Sequence, residues 1–234
     1  MKKIRRTLLI FLLLLLAGGG FYFSHRKGNT TPISAQEIHL NTLVTVTLYG
    51  TDRTELLDGA FALCDHYEKL FSRTLPESEI YRLNHGEISE VSPETSELIQ
   101  IGLSYGELSE GAFDISIEPV SSLWDFTSGD AVIPDEKELA EAVALVDYRK
   151  VHVNGNTVTF DMGLDLGAIA KGYIADRIKE YLKKEGVEHA LINLGGNVLC
   201  LGDKPEGTAF RIGVQKPFGE ATETLTICPI EDQS

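Results

Sequence analysis

The chain is short of cysteine and of basic charge, and it carries neither of the two standard phosphate-binding fingerprints. Each shortage removes a class of function. Among 234 residues there are three cysteines, Cys64, Cys200 and Cys228. An odd number prevents full internal pairing, so no disulfide framework is indicated. Their spacing fits no metal motif, and Cys64 and Cys200 sit among apolar neighbours, as core thiols do. Lys and Arg total 21 against 35 Asp and Glu, a net charge of -14. Nucleic-acid phosphates need Lys and Arg, so no nucleic-acid partner is expected. A solvated acidic surface accounts for the excess. The six histidines are scattered, and none joins a recognisable catalytic triad. Neither G-x-x-x-x-G-K-[ST] nor G-x-G-x-x-G occurs, and no internal repeat is visible.

What is present begins with an N-terminal targeting pattern. Lys2, Lys3, Arg5 and Arg6 precede an apolar run from Leu8 to Phe23. This is the pattern of a membrane anchor or of a cleaved signal peptide, and an uncleaved anchor over residues 1–23 is the favoured reading. "LLLLAGGG" resembles a lipoprotein box, but no Cys follows it. The positive-inside rule keeps the four cations in the cytoplasm and places the globular part on the extracytoplasmic side of the cell membrane. Residues 24–36 are polar, with Gly, Asn, Thr and Pro, and read as a linker. Beyond them, 43% hydrophobic and 24% charged residues overall are ordinary globular composition.

Residues 37–234 alternate between strand and helix patterns. "EIHLNTLVTVTLYG" reads as a strand or hairpin. Leu56, Leu57, Ala60, Phe61, Cys64, Tyr67 and Phe71 follow helical spacing. "FSRTLPESEIYRLNHGE" reads as a loop. Ser92 and Pro93 open a helix as N-cap and first residue. "AFDISIEPVSSLWDFTSGD" has no clean period, and "PDEKELAEAVALV" is a short helix. "KVHVNGNTVTFDM" is a hairpin with Asn154-Gly155 in its turn. A helix over residues 168–185 is followed by "HALINLGGNVLCLG", "FRIGVQKPFG" and "ETLTICPIEDQS", all strand-like. Hairpins joining strands favour an α+β fold with mixed or antiparallel sheet over a doubly wound one.

Three stretches could carry chemistry. In "LDLGAIAKGYIADRIKEYLKKEG" the residues Ile169, Tyr173, Ile174, Ile178 and Leu182 form one apolar helix face, and Gly186 is a C-terminal stop. Its start combines unsatisfied amides, small residues at Gly167 and Ala168, the cation Lys171 and the carboxylate Asp165. Such a start can cradle an anion, or can simply be a capped amphipathic helix with an exposed lysine. "NLGGN" permits a tight turn or a close ligand approach. Asp114, in an apolar setting, needs either a structural hydrogen-bond partner or a ligand.

The combination is more specific than its parts. "FSRTLPESEIYRLN", "GAFDISIEPVSSLW", "LDLGAIAKGYIADR", "ALINLGGNVLCLG" and "FRIGVQKP" occur in the order and rough spacing of one family. From about residue 37 onward the chain resembles the ApbE family, the FAD:protein FMN transferases. That resemblance implies an ApbE-like, T-fold-like domain that uses FAD and Mg²⁺. It implies transfer of FMN to a Thr or Ser hydroxyl of an exported or membrane redox-complex flavoprotein subunit, with release of AMP. Two alternatives are a membrane-tethered FAD-binding module without transferase activity and an FAD pyrophosphatase.

By the same resemblance, Ala112, Phe113 and Asp114 match the A-F-D segment that lines the flavin site. Asp165 and Lys171 match FAD-contacting positions, and Ala168 matches the metal-contact position through its carbonyl. Thr74 stands at a flavin-contacting position that is usually aromatic, and Thr cannot stack on an isoalloxazine. Leu40, in Leu40-Asn41-Thr42, stands where the family often has Met before a Gly-Thr or Asp-Thr pair. The family continues with T-S-G, H-H-I-I-D-P-like and D-A-x-x-T segments, the last supplying metal-binding side chains. None follows "VQKP" here, so the domain is expected to be C-terminally incomplete and this 234-residue chain to be poorly active or inert beside a full-length relative.

Overall fold

The computed structural model describes residues 31–124, 133–219 and 223–233. In chain order its elements are β1 (Ile33–His39), β2 (Thr42–Tyr49), α1 (Glu55–Phe71), α2 (Glu79–Asn84), α3 (Pro93–Leu108), α4 (Glu118–Ser121) and α5 (Glu136–Val143). After a 3₁₀ turn at Tyr148–Lys150 come β3 (His152–Asn154), β4 (Thr157–Thr159), α6 (Gly167–Lys184), β5 (His189–Leu194), β6 (Asn197–Leu201), β7 (Phe210–Gln215) and β8 (Thr224–Ile230). The expected anchor over residues 1–23 lies outside the described residues. Among the described residues, no helix is long and apolar enough to cross a membrane.

Alternation builds the main sheet. Its four strands run in the order β1-β2-β5-β6, every neighbour antiparallel. Val44, Val46 and Leu48 of β2 stand opposite Leu194, Ile192 and Ala190 of β5, and all six are fully buried. Period-2 geometry sends this set to one face, where α1 and α6 cover it. The helices supply the complementary stripes: Leu56, Ala60, Phe61, Cys64, Tyr67 and Phe71 from α1, and Ala170, Tyr173, Ile174, Ile178 and Leu182 from α6. At about 25 cal/mol per Å² of apolar surface, this joint burial is the main force holding the domain. The fold is thus α+β, and the sheets among the described residues are antiparallel. Cys64 and Cys200 are buried, Cys228 is half-buried, and all three thiols are free.

Local signals explain the helix ends. Ser92 accepts the Thr95 amide at 3.3 Å with Pro93 in the first turn, and Gly186 takes φ +84° just past α6. Three expectations need correction. The segment after Phe71 is not all loop: Ser78 caps α2 by accepting the Tyr81 amide at 3.1 Å, and six residues are too few to show a period. Strand β1 starts inside the expected linker, because Ile33 to Gln36 pair with Leu48 to Thr45 of β2. Since Asn154 pairs with Thr157, the β3–β4 turn is Gly155-Asn156, with Gly155 supplying the positive φ of 60°.

Candidate functional site

The entry to α6 is held from three sides. Asn84, at the end of α2, accepts the Leu164 amide and donates to the Leu164 carbonyl, both at 2.8 Å. The Asp165 amide donates to the Ile115 carbonyl at 2.8 Å. Asp165 then gathers a charged and polar shell. Its Oδ1 accepts the Gly167 amide at 2.9 Å, and its Oδ2 takes the Ser121 hydroxyl at 2.8 Å and the Arg73 Nε at 3.0 Å. Arg73 and Asp165 are 22% and 18% exposed, so this pair is shielded far more than a surface salt bridge. Leu166 at the N-cap gives no side-chain cap. The amides of Ile169 and Ala170 turn back to the Leu166 carbonyl. Among the described residues, the Ala168 amide is the first-turn donor left without a protein acceptor.

Two cavities flank this helix start. The first, about 340 Å³, is charged. The β1–β2 turn brings Leu40 and Asn41, the end of α1 brings Glu68 and Phe71, the following loop brings Ser72, Arg73 and Thr74, and α6 brings Asp165, Gly167, Ala170 and Lys171. Helical geometry puts Gly167, Ala170 and Lys171 on one face, and all three line this cavity. Leu40 and Asn41 adopt φ of 54° and 55°, the left-handed pair that a type I′ hairpin requires. For Leu40 that conformation costs on the order of 1 kcal/mol, and it aims the turn at the cavity.

The second cavity, about 690 Å³, is largely apolar. Ala168, Gly172 and Ala175 of α6 form one wall, Ile101, Tyr105 and Leu108 of α3 another, and Phe113 and Asn197 complete it. Tyr105 and Phe113 meet edge to face at 6.1 Å between centroids. Tyr173 also lines it and donates to the Glu97 carboxylate at 2.6 Å. Burial, then that hydrogen bond, pushes the phenol well above its ordinary range.

Leu40, Thr74, Asp165 and Lys171 therefore converge on one cavity, while Phe113 and Ala168 line its neighbour. Ala112 is exposed and lines neither. Asp114 lines neither either: its Oδ1 takes the Ser116 amide and hydroxyl at 2.8 and 2.7 Å, and its Oδ2 takes the Tyr148 amide at 2.9 Å. These bonds supply the hydrogen-bond partners that its apolar setting requires. The Ala168 carbonyl lies in the first turn, where the helical ladder pairs it with the Gly172 amide. A Mg²⁺ ion takes about six oxygens, so the described residues do not by themselves build its cage around Ala168.

A family model described as the ApbE family matches residues 40–234. The chain belongs to the ApbE family. It is 35% identical over 195 residues to the FAD:protein FMN transferase of Klebsiella pneumoniae, covering 80% of this chain and 60% of that protein. It is 29% identical over 226 residues to the protein of that name from Treponema pallidum, covering 86% of this chain and 62% of the relative. The chain thus spans about three fifths of the length of these relatives. The ApbE protein of Thermotoga maritima superposes with a TM-score of 0.78 at 25% identity, over 86% of this chain and 68% of that one. The flavin transferase ApbE of Vibrio cholerae gives 0.73 at 25% identity, over 81% and 65%.

For this ApbE chain, sequence reasoning passed over Arg73, Asn84 and Glu68. Arg73 and Asn84 stand inside the quoted "FSRTLPESEIYRLN" segment, but nothing along the chain says that they reach Asp165 and Leu164 about ninety and eighty residues away. Glu68 carried one available signal: on α1 it is one turn beyond the buried Cys64 stripe, at the edge of the covered face.

Proposed function

We propose that the two cavities together hold FAD, with the diphosphate at the start of α6 and the flavin ring in the apolar cavity. The convergence of Leu40, Thr74, Asp165 and Lys171 from separate stretches on one charged cavity carries this reading. The chemistry fits its parts. A diphosphate is matched by Lys171, the free Ala168 amide and the positive end of the helix dipole. A flavin ring is matched by Phe113, Tyr105 and the small residues that let it approach α6. Arg73 holds the Asp165 carboxylate in place rather than reaching for the phosphate itself.

In this reading the chain carries the FAD-holding part of a Mg²⁺-dependent transfer. FMN passes from FAD to a Thr or Ser hydroxyl of an exported or membrane redox-complex flavoprotein, and AMP leaves. When bound, Mg²⁺ would neutralise charge on the phosphates; the described residues offer it little beyond a shared carbonyl, so their part is to bind and orient FAD. The acceptor meets the domain on the extracytoplasmic side, with residues 1–23 as the membrane anchor.

Titrating the chain with FAD, with and without Mg²⁺, tests the reading against a Lys171→Ala variant. We expect saturable flavin binding that weakens about ten- to a hundredfold in the variant, the worth of a charge-assisted phosphate contact. Equal affinities would remove Lys171 from the site. With an acceptor domain added, a flavin-fluorescent protein band marks transfer. AMP without labelling marks a pyrophosphatase, and binding without AMP marks a binding module.

A further inference from the structure

The geometry points to a second metal site, for a Zn²⁺-class divalent cation, at His39, Asp65 and Glu68. Among the described residues this is a set of ligand-bearing side chains close enough to share one ion, their donor atoms all within 4.8 Å of one another. A tetrahedral site with bonds of about 2.0–2.2 Å places donors roughly 3.3–3.6 Å apart, so modest rotamer adjustment suffices. Asp65 and Glu68 are three apart on α1 and therefore project from one side of the helix.

The histidine supplies an independent observation. His39 is only 8% exposed, and both its ring nitrogens face carboxylates: Nδ1 lies 2.9 Å from Asp65 Oδ1 and Nε2 lies 3.0 Å from Glu37 Oε2. A neutral imidazole has a single N–H and can satisfy one of them. With that proton on Nε2, donated to Glu37, the Nδ1 lone pair faces Asp65 oxygen. In that tautomer Nδ1 keeps a lone pair for a cation that Asp65 and Glu68 can share. A metal-bound histidine whose other N–H is held by a carboxylate is the usual outer-shell arrangement of such sites. The ring is also locked in orientation by stacking on Phe61, 5.5 Å between centroids and 14° between planes. One His nitrogen with two carboxylates, completed by water, is a donor set that Zn²⁺ accepts.

The ion would pin the β1–β2 hairpin to α1. His39 immediately precedes the left-handed Leu40-Asn41 turn, and Glu68 lines the same charged cavity as that turn. A metal clip there would fix the wall opposite α6. The site stands independently of the FAD reading, because it is tested without flavin.

The test is a Zn²⁺ titration of the full chain by calorimetry, repeated with Co²⁺ by visible absorption. We expect one saturating site in the unaltered chain and a rise in melting temperature on loading. Asp65→Asn and Glu68→Gln alter exposed or half-buried ligands, leave the buried ring in place, and should each weaken binding more than tenfold. Glu37→Gln, in the outer shell, should weaken it by about tenfold. Asp203→Asn, at the two-member His189–Asp203 pair, should bind as the unaltered chain does. No saturable binding, or binding unchanged in both ligand variants, overturns the assignment and leaves His39 as a ring hydrogen-bonded between Asp65 and Glu37.

Discussion

The two cavities flanking α6 share a helix and differ in almost everything else. One is walled by Arg73, Lys171, Asp165 and Glu68; the other by Phe113, Tyr105, Ile101 and Leu108. The split follows from helical periodicity. Gly167, Ala170 and Lys171 fall on one side of the first turns, and Ala168, Gly172 and Ala175 on the other. A single short stretch thus contributes to a charged wall and to an apolar wall. The proposed ligand, FAD, would use that pairing, since its diphosphate and its flavin ring prefer opposite surroundings.

The comparison can be broken most sharply at Lys171. Lys171→Ala should weaken FAD and ADP alike, by about ten- to a hundredfold, because both carry the diphosphate. If ADP affinity is untouched, the charged cavity does not take phosphate. Next comes the peg at the entry to α6. Asn84→Ala removes two hydrogen bonds to Leu164 and should cost about 1–3 kcal/mol in denaturant unfolding, with FAD affinity falling as the helix start loosens. A variant as stable as the parent would show that Asp165 and Arg73 suffice to hold the entry.

Phe113→Ala should act on the apolar side alone. We expect FAD and riboflavin to weaken by about tenfold, the scale of an aromatic pair, while ADP stays unchanged. Equal losses for ADP would mean that the two cavities do not divide the ligand as described. The smallest effect is the pH response of Tyr173, which lines the apolar cavity. Tyr173 ionises well above its ordinary 10.0 when folded, because it is buried and bonded to Glu97. Its contribution to stability is therefore complete below the unfolded value and is lost as pH rises above about 10. Unfolding midpoints measured from about pH 8 to pH 11 should fall in the parent and fall less in Tyr173→Phe. An identical slope in both would assign the alkaline loss elsewhere, with buried Tyr67 next in line.

Much of the fold was legible because it is written in local period and local caps. The α1 stripe, the Ser92-Pro93 start of α3, the alternation of β2 and β5, and the Gly186 stop are each visible within a dozen residues. The short α2 was not, since six residues cannot display a helical period, and its Ser78 cap looks like any loop serine. Strand β1 was only partly legible: it is an edge strand with mostly exposed residues, and its hydrogen bonds come from β2 rather than from its own pattern. At the site, the motifs placed Asp165 and Lys171 together because they lie on one helix start. They could not show that Asp114 spends its carboxylate on Ser116 and Tyr148, or that Ala112 stands outside both cavities.

The amino-acid order alone determined the elements, the antiparallel preference, the acidic surface, the family, and the identity of the helix start as the place to look. Those properties depend on side-chain period, charge count and contiguous motifs, which are all properties of neighbours in the chain. Only the tertiary structure decided that Arg73 guards Asp165, that Asn84 pegs Leu164, and that His39 meets Asp65 and Glu68 across the hairpin and α1. These are contacts between residues far apart in sequence, and their geometry is set by how the sheet and helices pack, which no local pattern encodes.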